Sequence, residues 1–144
     1  MDANTDIPAL RKRLADAKKA LTASAATGES SVLEEDRHIP MRDGASITVR
    51  IYSSNTAQKG GAPVFVMYHG GGFCLGGLDN ETLLCRKWVE EFGGVTVNVD
   101  YRLAPEYAFP TAVHDSYDAL KWVLPSPLVQ SSRLTSRLPR ICPR

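Results

Sequence analysis

Apolar residues recur at intervals of three and four through Ile7, Leu10, Leu14, Ala17 and Leu21, which predicts a one-sided helix with Asp6 as its cap and Pro8 in the tolerant first turn. Thr22 to Ser31 is small, polar and glycine-containing, and reads as a linker. From Glu34 the period changes. Ile47, Val49 and Ile51 alternate with Ser46, Thr48 and Arg50 as in a half-buried strand, and Asp43-Gly44 marks a hairpin turn back to a weaker strand around Arg37 to Met41. Val64-Phe65-Val66-Met67 is an apolar run that reads as a strand, and Val95-Thr96-Val97-Asn98-Val99 reads as a short buried strand. Between them, Asp79 or Asn80 is expected to cap a helix with Leu84, Cys85, Trp88, Val89 and Phe92 on one face, ended by Gly93-Gly94. Strand, helix and strand make a βαβ unit. Pro110 then starts a further helix in which Val113, Tyr117, Leu120 and Leu124 share a face.

This order of elements predicts an α/β domain: an N-terminal helix, an antiparallel hairpin, then the βαβ portion of a mainly parallel sheet. Residues 1–31 form a helix-and-linker unit and 32–124 the α/β domain. From 125 to 144 the text changes, with four of the chain's nine prolines, four arginines and no acid. No helical or strand period survives there, so this tail is expected to be disordered. A frameshift, a retained intron or a mispredicted gene boundary produces such a break.

Charge alters the picture little. The net charge of +1 conceals +4 after Leu124 against −3 before it, but four arginines among prolines and serines, with no aromatic, make too thin a patch for a nucleic-acid surface. No apolar run is long enough for a membrane span, and no apolar core follows the acidic N-terminus, so cytoplasmic residence is expected. Cys74, Cys85 and Cys142 contain no Cys-x-x-Cys pair, which argues against a disulfide framework and a zinc site.

The candidate chemistry lies in His69-Gly70-Gly71-Gly72-Phe73, at the exit of the strand over 64–68. Consecutive glycines leave backbone N–H groups uncovered, and such donors can stabilise the oxyanion formed when an acyl carbonyl is attacked. A glycine triplet alone is an ordinary loop, but a second stretch, Asp100-Tyr101-Arg102-Leu103-Ala104-Pro105-Glu106, adds weight. The two motifs, in this order with one helix between, resemble the hormone-sensitive-lipase-like branch of the α/β hydrolases over roughly Glu34 to Leu124.

That resemblance implies an incomplete α/β-hydrolase fold, representing the N-terminal half of a carboxylic-ester hydrolase. Such an enzyme uses a Ser-His-Asp triad on small-molecule esters, with no metal and no cofactor. Gly71 and Gly72 would supply two oxyanion donors, and His69 and Gly70 would brace the loop. Asp100, Arg102 and Glu106 would form a charge network beneath it. The N-terminal helix would contribute to a cap, giving Leu10, Leu14 and Leu21 a substrate-side role. In that fold the strand over 64–68 lies between the one over 95–99 and a further strand, so an uncovered apolar edge is expected here.

The triad itself is missing. The closest approach to G-x-S-x-G is Gly28-Glu29-Ser30-Ser31-Val32, which lacks the second glycine, and the last histidine is His114. The chain alone is therefore expected to be inactive. Gly72-Phe73-Cys74-Leu75-Gly76 matches a thiol elbow but lies inside the glycine loop itself, so Cys74 reads as a small buried filler. His38 has no acid to orient it and reads as a surface histidine. Neither a dinucleotide fingerprint nor a Walker motif fits the glycines, since position 75 is Leu and no Gly-Lys-Ser/Thr follows. The alternative is a non-catalytic product that binds a small apolar ligand or a partner chain.

Overall fold

Alternating apolar residues in Ser46–Ser54 and the Asp43-Gly44 turn close a hairpin in register from Pro40↔Ser46 to Val32↔Ser54. Gly44 takes φ 83°, and Asp43 Oδ1 accepts from the N–H of Ala45 at 3.1 Å. The computed structural model describes residues 6–25, 31–54 and 63–126. Its elements are α1 (Ile7–Ala25), β1 (Val32–Pro40), β2 (Ser46–Ser54), β3 (Val64–Tyr68), a 3-10 turn (Leu78–Asn80), α2 (Thr82–Phe92), β4 (Val95–Asp100) and α3 (Thr111–Val123). Four strands form one sheet in the order β1-β2-β4-β3, antiparallel except for the parallel β3–β4 pair. The fold is the expected α/β arrangement, and among the described residues β3 is paired on one side only.

Period-2 geometry divides the side chains between two faces. Toward α3 lie Ile39, Ile47, Val49, Ile51, Val97 and Val99, packed with Ala112, Ala119 and Val123. Toward α2 lie Val32 and Tyr52 with Cys85 and Val89, supported by Met67 and Trp88. Each fully buried valine contributes on the order of 1.5–3 kcal/mol of transfer free energy. The one phenol in the smaller cluster is satisfied, its hydroxyl 3.2 Å from Thr82 Oγ1.

Four local expectations are corrected. The helix does not stop at Thr22; it runs to Ala25, because Ala23 and Ala25 favour helix and the nearest glycine is Gly28. Neither Asp79 nor Asn80 caps α2; both belong to the 3-10 turn, and Glu81 occupies the cap without a side-chain bond. Of the expected α2 face, Cys85 and Val89 are buried, but Leu84 and Phe92 are 49% and 56% exposed. On α3 the grouped residues Val113, Tyr117, Leu120 and Leu124 face outward, while Ala112, Asp115, Asp118, Ala119 and Val123 are buried.

Charge explains the turning of α3. Asp115 accepts from Arg102 through Nε at 2.8 Å and Nη2 at 2.7 Å, and from its backbone N–H at 3.0 Å. Asp118 does the same for Arg42, at 2.9, 2.9 and 3.0 Å. Two bidentate carboxylate–guanidinium pairs, spaced three residues apart, orient the helix together with the packing of Ala112, Ala119, Trp122 and Val123. The expected tail over 125–144 lies outside the described residues from 127 onward, as does the end of the linker over 26–30.

Candidate active site

β3 ends at Tyr68, and the next residue is buried. The His69 ring stacks on Tyr101, with centroids 4.3 Å apart and planes 9° apart, and the Tyr101 hydroxyl donates to the His69 carbonyl at 2.6 Å. His69 Nδ1 lies 2.9 Å from the Gly70 carbonyl oxygen. A carbonyl only accepts, so Nδ1 is the donor in this contact, and Nε2 is buried without a partner among the described residues. This histidine is fixed by its neighbours.

The chain then turns through positive φ at Gly71 (131°), Gly72 (61°) and Phe73 (62°). The Gly71 carbonyl accepts from the N–H groups of Cys74 and Leu75 at 3.2 and 3.0 Å, and the Phe73 carbonyl from that of Ala104 at 2.8 Å. Glycine is needed here for space as well as for φ. A Cβ on Gly71 would stand 2.1 Å from the Leu75 carbonyl oxygen, and one on Gly76, where φ is 102°, 2.3 Å from His69 Nδ1. Gly72 has open space around its Cβ position. The N–H groups of Gly71 and Gly72 donate to no described residue.

Two depressions meet at this loop. One, of about 520 Å³, lies between the loop and α1 and is lined by Leu14, Ala17, Gly71, Leu75 and Leu78 among others. The other, of about 280 Å³, is bounded by Tyr68, Gly72, Phe73, Tyr101 and Ser116. Gly70 and Gly71 border both.

The three charged residues expected to form one network beneath the loop are held in separate places. Arg102 pairs with Asp115 and Asp43, and Glu106 with Arg11. Asp100 makes neither pair; burial pushes its carboxyl above the usual range, opposed by His69 and Arg50. β4 ends at Asp100, so Arg102 and Glu106 lie on the irregular segment after it, where Asp115 and Arg11 rather than a shared strand face set their directions. Cys74 is half-buried rather than buried, and no described hydrogen bond joins it to His114. His38 is exposed on β1, its ring nitrogen 3.3 Å from Thr48 Oγ1.

Sequence reasoning passed over Arg11. Its guanidinium donates to the carbonyls of Cys74 and Ala104 and to both Glu106 oxygens, joining α1 to the loop from the far side. A basic residue next to Leu10 on an amphipathic helix gives no sign of such a role. Tyr101 was visible only as part of a motif.

A family model described as the alpha/beta hydrolase fold matches residues 65–136. The chain belongs to this α/β-hydrolase family. Its relatives are carboxylesterases and lipases of the hormone-sensitive-lipase-like kind. They include Lipase 2 of Moraxella sp. (36% identical over 99 residues) and carboxylesterase NlhH of Mycobacterium tuberculosis (40% over 89 residues). These alignments cover 66% and 62% of the chain but 23% and 28% of those proteins. The crystal structure of an esterase from Pyrobaculum calidifontis superposes with a TM-score of 0.75 at 36% identity, covering 92% of this chain and 41% of that one. The chain thus spans well under half the length of each. The family match continues past Leu124 to residue 136, so it does not place the break in pattern at Leu124. Within this α/β hydrolase, the serine elbow of the family has no counterpart in the 144 residues.

Proposed function

We propose that this chain carries the oxyanion-binding portion of a carboxylic-ester hydrolase, with Gly71 and Gly72 as donors. The observation that carries this reading is the pair of uncommitted backbone N–H groups on a positive-φ loop between two depressions. An acyl oxygen presented to them would gain charge-assisted hydrogen bonds as it becomes negative, and a serine from outside these residues would supply the attack. His69 and Gly70 serve the loop as brace and hinge; Arg102 anchors the segment after β4 to α3, and Glu106 holds Arg11. Asp100 is a half-buried carboxyl at the end of β4, next to Gly77. α1 covers the 520 Å³ depression, whose apolar and small lining suits a short or medium acyl chain. The chain alone is inactive in this reading, because nucleophile, acid and base are missing from it. Cytoplasmic residence belongs to the same reading, supported by Cys74 and Cys85 both being free.

No helix among the described residues is long and apolar enough to cross a membrane. The comparisons supply the substrate class by analogy, since the relatives act as esterases and lipases by name. Hydrolysis of p-nitrophenyl butyrate is the test. Protein expressed from the complete reading frame should turn the ester over, the 144-residue chain should not, and Gly71→Ala in the former should lower kcat by about 10²–10³. Saturable binding without turnover by the complete product would overturn the reading. The non-catalytic alternative has one observation in its favour: among the described residues β3 is paired on one side only, and Val113, Leu120 and Leu124 are exposed at α3.

A further inference from the structure

α1 is thinly attached to the rest of the fold. Leu14 on its inner stripe is 50% exposed, and Ala15 and Ala17 are exposed. Apolar burial of this extent fixes a helix weakly. Arg11 contrasts with its surroundings, its side chain being 23% exposed. All three nitrogens are engaged: Nε with the Cys74 carbonyl at 3.0 Å, Nη1 with Glu106 Oε1 at 3.0 Å, and Nη2 with Cys74, Ala104 and Glu106 oxygens at 2.9, 2.8 and 3.1 Å.

These partners close a ring. Ala104 gives its carbonyl to Arg11 and its N–H to the Phe73 carbonyl, while Cys74, the next residue of the loop, gives its carbonyl to the same guanidinium. The segment Gly72-Phe73-Cys74 is therefore held at Phe73 by Ala104 and at Cys74 by Arg11. Arg11 also borders both the 520 Å³ depression and a wider polar one of about 700 Å³. One side chain thus touches the cap helix, the glycine loop and the segment after β4.

We propose that Arg11 is a positioning residue that clasps α1 to the glycine loop, so that cap closure and the orientation of the Gly71 and Gly72 N–H groups are set together. The purpose of that coupling rests on the hydrolase reading; the clasp itself does not. The fork geometry is essential. Two carbonyls and a bidentate carboxylate require planar donors in three directions, which a lysine ammonium does not provide.

Hydrogen exchange on the 144-residue chain, read by mass spectrometry, tests this. Arg11→Ala should accelerate exchange by about tenfold or more in α1 and around residues 74–77, and leave β2 and β4 unchanged. Arg11→Lys should behave like Arg11→Ala, and Glu106→Gln should fall between these and the original chain, because the three bonds to the Cys74 and Ala104 carbonyls remain. Acceleration spread evenly over the sheet, unaltered exchange in α1, or full protection in Arg11→Lys would each overturn the clasp. With p-nitrophenyl acetate and hexanoate as substrates for protein from the complete reading frame, Arg11→Lys should raise KM for the longer ester more than for the shorter. Localised exchange changes without ester turnover in any variant would keep the clasp and remove the hydrolase reading.

Discussion

α2 and α3 flank the same sheet on opposite faces, yet different forces hold them there. α2 is seated by Cys85 and Val89, both essentially inaccessible, against Val32 and Tyr52. α3 buries Ala112, Ala119 and Val123, with Trp122 partly buried beside them, and is oriented by Asp115 and Asp118 on Arg102 and Arg42. Val113, Tyr117 and Leu120 of α3 lie on its outer face, while Trp122 packs against the core. One helix is therefore located by burial alone, and the other by a polar latch added to its buried stripe.

Removing Asp115 is the strongest way to break the comparison. Asp115→Ala leaves Arg102 with Asp43 as its remaining partner and strips an acceptor from the Arg102 N–H, at a cost of about 3–5 kcal/mol in urea unfolding. Acid should probe the second half of the latch. Arg42, assisted by Lys121, holds the Asp118 carboxyl well below its ordinary value of 3.8. A depressed folded-state value means that the stabilisation is complete above 3.8 and is lost as pH falls below it. Asp118→Asn should flatten that part of the stability profile, and an unchanged slope would show that the pair contributes nothing.

On the α2 side the expected costs are those of packing. Val89→Ala should cost about 2 kcal/mol by leaving a cavity next to Tyr52 and Cys85, measured by the same unfolding curves. Gly93 closes α2 at φ 62°, its N–H bonded to the Val89 carbonyl at 2.8 Å. Gly93→Ala should cost about 1 kcal/mol from backbone strain alone. The smallest effect is expected on the outer face of α3. Val113→Ser should change stability by less than about 0.5 kcal/mol while reducing light scattering on concentration. A loss comparable to that of Val89→Ala would mean the outer face is packed in solution.

The same contrast shows what could be read from residues in sequence. The strands were legible because Ile47, Val49 and Ile51 alternate without interruption, and because Val95 to Val99 form a compact β-branched run. The α2 face was partly legible, since its apolar stripe includes the two residues that are buried. The α3 face was not: apolar period alone cannot reveal that an aspartate will be paid for by an arginine about 13 or 76 positions away in the chain. At the site, glycine spacing disclosed the loop, because only glycine fits Gly71 and Gly76. Arg11 escaped notice because two of its partners are backbone carbonyls, which no side-chain pattern records, and the third, Glu106, lies 95 positions away in the chain.

The Gly71 and Gly72 N–H groups belong to the main chain, and this changes which mutations can silence them. A side-chain donor is lost by almost any replacement at its own position; a peptide N–H survives every replacement except proline. Gly72 has room around it, so the vulnerable positions are displaced to where added atoms would collide, at Gly71 with Leu75 and at Gly76 with the His69 ring. In a random mutational library the loop should therefore show sharp intolerance not only at Gly71 but also at Gly76, four residues from the nearer of the two donors, a pattern that a census of chemically functional groups would miss.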